Sequence, residues 1–170
     1  MKKILLLLLL SGSLAYGQKC KYKRDEVDEF TKHRILETKD NPLTISWTSS
    51  FSCTYNLLNI DDKRYLVLNA YGPSAFTLRE GAEVLFKTDA EEPIRLAFPK
   101  TVISGSGYNS SLKNIYFTAS QMIPLPDEAY SRLLKEGITK LRVYTGQGYA
   151  DDEVKPKHDK KLKEMLKCIE

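Results

Sequence analysis

The sequence has few of the side chains that most enzymes use for metal or nucleophilic chemistry. Its 170 residues include two histidines, three cysteines and one tryptophan. No His-x-x-x-His pair and no closely spaced cysteine pair occurs, so a zinc site of ordinary composition is not expected. His33 and His158 both lie between charged residues, which predicts that both are exposed on the surface.

Motifs for nucleophilic hydrolysis and phosphate binding are also missing. The chain has no Gly-x-Ser-x-Gly elbow, and a serine or cysteine nucleophile would need one of the two histidines as its base. Gly105-x-Gly107 is not followed by the Gly-Lys-Ser/Thr of a phosphate loop. We therefore predict no catalytic residues, no cofactor and no metal, and interpret residues 105–111 as a flexible loop.

Long hydrophobic runs and a strong net charge are absent as well. The longest apolar run, Ile4–Leu10, is far shorter than the roughly 20 residues that span a bilayer. The formal net charge is +4, and removing residues 1–17 takes away two lysines and no acid, which leaves about +2. We predict no transmembrane segment, and a charge this small gives no reason to expect nucleic acid as a partner.

The first residues have the organisation of a signal peptide. Lys2 and Lys3 precede the apolar run, and small residues stand three and one positions before Gln18. This pattern predicts cleavage near Gly17-Gln18 and export to the periplasm or beyond. Lys19 directly before Cys20 does not fit a lipoprotein signal, so we expect an unlipidated product, with residues 18–170 forming one domain.

A long period-2 pattern dominates the middle of the chain. From Leu43 to Leu57 the odd positions are mostly apolar, and the even positions are serine, threonine or asparagine. Such alternation is typical of a half-buried strand, whose apolar side here includes Trp47, Phe51 and Cys53. Because most strands are about 5–6 residues long, we expect a bend near Ser49-Ser50.

Further short strands and two helices complete the expected fold. Pro126, followed by two acids, is typical of a helix start, with Tyr130, Leu133 and Leu134 on its apolar face. A last helix begins near Lys157 and places four apolar residues on one face: Leu162, Met165, Leu166 and Ile169. The predicted class is α+β: a mostly antiparallel sheet of about seven or eight strands, sandwich- or half-barrel-like, with two short helices near the C-terminus. The strands are predicted at residues 33–38, 43–57, 64–71, 75–78, 83–87, 94–98, 114–119 and 138–144.

Three cysteines leave at least one unpaired. Cys53 lies on the apolar side of its strand, where a small buried residue is expected. Cys20 and Cys168 lie near the two ends of the mature chain, which favours a disulfide between them. A Cys53–Cys168 bond, or no bond, remains an alternative.

Two groups of side chains are candidates for a surface site. The acids Asp25, Glu26, Asp28 and Glu29 form the best oxygen-rich cluster, although nearby lysines and arginines favour a solvated, salt-bridged segment. A similar interpretation holds for Asp151-Asp152-Glu153. The second group consists of tyrosines that would line a ligand or glycan groove, or would otherwise serve as ordinary strand residues: Tyr108, Tyr116, Tyr144 and Tyr149.

Both ends of the mature chain resemble those of a known group. Cys20-Lys21-Tyr22, residues 26–31 and Glu37-Thr38-Lys39 resemble the openings of small secreted or periplasmic bacterial proteins of unknown function. Residues 137–143 and the lysine-rich closing helix resemble the ends of that group. The resemblance implies export and a single domain, but it implies no activity and no functional residues.

These observations lead to three functional hypotheses. The first is an exported, non-enzymatic domain that binds a ligand or protein partner in the cell envelope or outside the cell. The second is a hydrolase of a glycan or another envelope polymer that uses carboxylates such as Asp28 or Glu29. The third is a structural or accessory component of an envelope assembly.

Overall fold

The computed structural model describes residues 20–45, 51–110 and 114–170, and it confirms the α+β class. Most of the described chain forms antiparallel strands, and the largest sheet curls into a half-barrel. The two predicted helices are present near the C-terminus as α1 (Asp127–Lys135) and α2 (Pro156–Leu166), followed by a 3₁₀ helix (Lys167–Ile169). The signal-peptide prediction, Trp47 and the predicted bend at Ser49-Ser50 lie outside the described residues.

The described residues form more strands than the seven or eight expected, because several are very short. The strands are β1 (Tyr22–Val27), β2 (Arg34–Thr38), β3 (Asn41–Thr44), β4 (Ser52–Ile60), β5 (Lys63–Gly72), β6 (Thr77–Leu78), β7 (Glu83–Thr88), β8 (Ile94–Ala97), β9 (Val102–Ile103), β10 (Gly105–Asn109), β11 (Asn114–Pro124), β12 (Ile138–Thr145) and β13 (Gly148–Glu153).

These strands form three sheets. The curled sheet has the order β1-β2-β4-β5-β11-β10, and β3 also pairs with β4. A second sheet has the order β13-β12-β7-β8, and β6 and β9 make a small two-stranded sheet. All the pairings are antiparallel. The inner faces of the two larger sheets contribute residues to one buried core, because each sheet has one apolar face to remove from water.

The period-2 segment becomes two antiparallel strands, β3 and β4, rather than one. Its apolar side is confirmed in β4, since Cys53, Tyr55 and Leu57 are fully buried and Phe51 is half-buried. The prediction is wrong for Ile45, which follows β3 and is 42% exposed. A hairpin joins β4 to β5. Asp61 and Asp62 both have positive φ, 46° and 66°, as a two-residue turn of the primed type requires.

Two predictions about local structure are wrong, and one strand was not predicted. Residues 105–109, interpreted as part of a loop, form β10, because they pair with β11 although they are rich in glycine. The chain after the turn at Gly146 and Gln147 forms β13, so Asp151-Asp152-Glu153 lies on a strand. His158, predicted to be exposed, is buried, because α2 packs against β3 and Nδ1 of His158 donates to the Leu43 carbonyl oxygen at 3.0 Å.

The disulfide between Cys20 and Cys168 is present, with Cα atoms 5.6 Å apart, and it joins the start of the domain to its last turn. The hydroxyl of Tyr22 donates to the carbonyl oxygen of Cys168 at 2.7 Å, beside the same junction. Cys53 is free and fully buried, and burial raises the pKa of its thiol. The thiol therefore stays neutral, in agreement with the inert packing role expected for it.

Candidate ligand-binding site

The outer face of the curled sheet is uncharged where β4, β5 and β11 lie side by side. On these strands alternate residues such as Cys53, Leu68 and Ala119 point into the core, so their neighbours point outward. Lys63 at the start of β5 and Glu37 on β2, which accepts a hydrogen bond from Asn56, border this stretch. None of the outward residues within the stretch carries a charge, although 28% of the whole chain is charged. They are Ser52, Thr54, Asn56 and Leu58 on β4, Tyr65, Val67, Asn69 and Tyr71 on β5, and Tyr116, Thr118, Ser120 and Met122 on β11.

One end of this face forms an open concavity of about 510 Å³, which we call the tyrosine hollow. The rings of Tyr71 and Tyr116 are 6.2 Å apart and tilted by 46°, so they present two differently inclined surfaces. Tyr71 and Tyr116 are half-buried, whereas Tyr108 is 64% exposed. The lining residues are Ser52, Tyr71, Tyr108, Asn109, Ser110 and Tyr116.

The position of Tyr116 depends on a glycine. Tyr116 and Gly107 are direct cross-strand partners on β11 and β10. A Cβ atom at position 107 would lie 2.6 Å from Cζ of Tyr116, so the ring rests directly on the glycine backbone. An aromatic ring that covers a glycine on an edge strand protects its backbone and fixes the register. The hollow therefore has a positioned ring before any ligand arrives.

The chemistry of the tyrosine hollow suits an uncharged, hydroxyl-rich ligand. Phenol and serine hydroxyls both donate and accept hydrogen bonds, and the Asn109 side chain offers both donors and an acceptor. The tyrosine rings add apolar surface with a polar tip. None of the described residues that line the hollow is charged. Among the described residues, no group of three or more acids, histidines and cysteines converges to hold a metal ion.

The other two predicted tyrosines belong to a different surface. Tyr144 and Tyr149 are cross-strand partners on β12 and β13, with ring centroids 6.1 Å apart. The Arg142 guanidinium lies 4.0 Å from the Tyr149 ring centroid and donates twice to Asp151, each time at 2.6 Å. Hydrogen bonds from Arg142 lower the pKa of Asp151. The side chains of this cluster contact one another, and the cluster lies on a different sheet from Tyr108.

The acidic cluster does not converge on a common point. Asp25 lies on β1 and pairs with Arg34 at 3.2 Å. Oδ1 of Asp28 accepts hydrogen bonds from the Phe30 and Thr31 backbones and from the Thr31 hydroxyl. The bonds from Thr31 lower the pKa of Asp28, so this carboxylate organises a turn.

The remaining two acids of the cluster, Glu26 and Glu29, are both exposed. Glu26 lies 3.8 Å from Arg24. Neither carboxylate is therefore held in a cleft beside a second carboxyl group, and the interpretation of a solvated, salt-bridged segment agrees with this geometry.

Sequence reasoning identified Tyr108 and Tyr116 but missed Tyr71, Ser52 and Asn109 as parts of the site. A signal for Tyr71 was present, because the buried residues Leu66, Leu68 and Ala70 place the odd positions of β5 on the outer face. No sequence pattern indicated Asn109, because the segment that contains this residue was interpreted as a loop.

The fold and the hollow define an α+β domain with an open, tyrosine-lined surface site. No family model, curated protein or solved structure matches the chain. In the part of the chain that the structure describes, no helix has the length and apolar character needed to cross a membrane.

Proposed function

We propose that this chain is an exported, non-enzymatic domain that binds a neutral saccharide in the tyrosine hollow. The observation that carries the proposal is the combination of tilted tyrosine rings with hydroxyl and amide groups, among described lining residues that include no charged one. A sugar ring has one side of C–H groups that packs on an aromatic face and a rim of hydroxyls that pairs with such polar groups. The open shape of the hollow suits one part of a longer chain.

The direction in which the carboxyl pKa values are shifted supports binding without catalysis. Glycoside hydrolysis by two carboxyls needs one acid whose pKa is raised. Among the described residues, the carboxyls with a displaced pKa all have it lowered: Asp28, Glu37, Asp61, Glu136 and Asp151. None of these acids lines the tyrosine hollow. The hydrolase hypothesis therefore gains no support from this site.

Export is part of the same proposal and rests on the signal-peptide pattern of residues 1–17. The Cys20–Cys168 disulfide supports it, because disulfides persist mainly in oxidising compartments. We expect intact-mass analysis of protein from the periplasmic or extracellular fraction to show a chain that begins near Gln18 and carries no acyl group. A chain that retains Met1, or one with a lipid on Cys20, would contradict this part of the proposal.

Binding is tested by calorimetry on the mature protein with a neutral β-linked glucose hexasaccharide, a neutral mannose hexasaccharide and an anionic galacturonate hexasaccharide. We expect at least one neutral sugar to bind more tightly than the anionic one. Tyr116→Ala should weaken that binding about tenfold, since an aromatic contact contributes roughly 0.5–1.5 kcal/mol beyond its buried area.

The matched control for this test is Tyr149→Ala. Tyr149 lies on the other sheet and outside the hollow. Tyr71→Ala should weaken saccharide binding, whereas Tyr149→Ala should leave it unchanged. Equal effects of the two substitutions, or a preference for the anionic sugar, would overturn the proposal.

A further inference from the structure

Strand β10 is an uncharged edge of the curled sheet. It pairs with β11 on one side, and within the described residues no strand pairs with its other side. Its sequence from Gly105 to Asn109 contains glycine, serine, tyrosine and asparagine, without a charge, a proline or a bulge. The unpaired backbone groups of such an edge are a template for another strand.

The other outer edges carry the features that normally prevent strand addition. Most residues of β1 are charged and exposed, and β13 ends in three consecutive acids. Strand β8 has only four residues, and Arg95 lies on it. Among the described edges at the ends of the two larger sheets, β10 alone lacks this protection.

Exposed apolar side chains accompany this edge. Tyr108 and Ile115 are direct cross-strand partners, and they are 64% and 61% exposed. Ile103, which comes just before β10, is 73% exposed. Tyr108 and Ile115, two large apolar residues side by side at one strand edge, would normally be covered in water.

We infer that a second copy of this chain pairs with β10 to form a dimer. An uncharged strand can pair with itself antiparallel without placing like charges opposite each other, which would not be true of β1 or β13. A two-fold axis perpendicular to the sheet makes the interface isologous, so the same patch contributes from both copies. It also brings Tyr108 and Ile115 of both copies to one side, where they cover each other.

The dimer has a consequence that rests on the proposed saccharide binding. The same axis places the outer faces of both curled sheets on one side of a continuous sheet. Both tyrosine hollows then face the same way, close to the shared edge, because β10 and its neighbour β11 contribute to each hollow. A long saccharide chain would engage two hollows, while a short one would engage only one.

Sedimentation equilibrium of the mature protein, over micromolar to millimolar concentrations, tests the dimer. We expect a reversible monomer–dimer equilibrium for the wild type. Ser106→Lys places a charge in the middle of the edge strand, so it should shift the protein to the monomer. Ser106→Thr keeps a neutral residue that suits a strand, and it should leave the equilibrium unchanged.

Saccharide binding separates this inference from the proposed function. Ser106→Lys should weaken binding to a long neutral polysaccharide about 100-fold while leaving affinity for the hexasaccharide unchanged. A wild type that binds the hexasaccharide but stays monomeric overturns the dimer alone. A dimer that binds no neutral saccharide overturns the proposed function and keeps the interface. A Ser106→Lys protein that remains dimeric would show that the contact lies elsewhere.

Discussion

The ring of Tyr116 occupies the space that a side chain at position 107 would need. Besides the contact with Cζ, a Cβ at Gly107 would lie 2.8 Å from the Tyr116 hydroxyl oxygen, which is closer than real Cβ atoms approach other heavy atoms. Gly107→Ala must therefore push the ring away from β10. We expect this substitution to weaken saccharide binding severalfold to about tenfold, because the ring no longer lies at the angle that the hollow requires.

The control for Gly107→Ala is Gly105→Ala on the same strand. Gly105 also lies on the Tyr116 side of β10, and a Cβ there would meet no atom within 4 Å. Calorimetry should show unchanged binding for Gly105→Ala, and both variants should retain the fold by circular dichroism. Equal binding by the two variants would mean that the position of Tyr116 is unimportant.

Reduction of the Cys20–Cys168 disulfide should destabilise the domain strongly. The bond joins residues separated by 148 positions, and in the chain-entropy model closing so long a loop stabilises a protein by about 4–5 kcal/mol. Urea unfolding with and without reductant should show a lower free energy of unfolding for the reduced wild type. The double variant Cys20→Ser/Cys168→Ser should already be less stable and should not respond to reductant, so a response there would contradict the assignment.

Glu37 should make stability depend on pH. Burial raises its pKa, but hydrogen bonds from Lys23 and Arg24, at 2.9 and 2.7 Å, outweigh burial and lower it. Because the folded pKa lies below the usual value of about 4.3, the interaction stabilises the fold above that pH. This contribution is lost as the pH falls through the lowered pKa.

Glu37→Gln should therefore reduce the free energy of unfolding at pH 7 by about 1–3 kcal/mol, since hydrogen bonds to a charged group are lost. It should also flatten the fall in stability on acidification, measured by urea unfolding from pH 7 to pH 3. Glu29→Gln, at an exposed position in the turn after β1, is the control. If the free energy of unfolding of Glu37→Gln fell on acidification as steeply as that of the wild type, Glu37 would not be the source of the pH dependence.

The two aspartates in the turn between β4 and β5 should respond oppositely to glycine. Asp62 has φ 66°, a left-handed conformation that costs other residues more than glycine, so Asp62→Gly should stabilise the fold by about 0.5 kcal/mol. Asp61 accepts a hydrogen bond from the Arg34 backbone at 2.9 Å and contacts His33. Asp61→Gly loses both interactions and should lower the thermal midpoint, so the same sign of change in both variants would contradict this explanation.

Much of the strand framework could be predicted because it depends on local patterns. The alternation through Cys53, Tyr55 and Leu57 reports which side of β4 meets the core, and such a pattern needs no knowledge of the partner strand. The start of α1 after Pro126 and the buried face of α2 followed from equally local rules. The short or glycine-rich strands β10 and β13 could not be recognised in this way, because their backbone is held by a neighbouring strand.

The candidate site was only partly accessible from the sequence. Tyr108 and Tyr116 were recognised as ligand candidates, but so were Tyr144 and Tyr149, which lie on the other sheet. Which tyrosines share a surface depends on strand order and register, and these are long-range properties. The buried position of His158 had the same origin, since its partner Leu43 is 115 residues away in the chain.

The sequence by itself determined the α+β class, the apolar sides of the main strands and the favoured pairing of Cys20 with Cys168. These features arise from the order of polar and apolar residues along short segments and from the positions of a few special residues. The tertiary structure alone decided that Tyr116 rests on Gly107, that Tyr71 joins it, and that β10 is left as an uncharged edge. The physical reason is that a surface site is assembled from strands whose neighbours are chosen by the packing of the whole core.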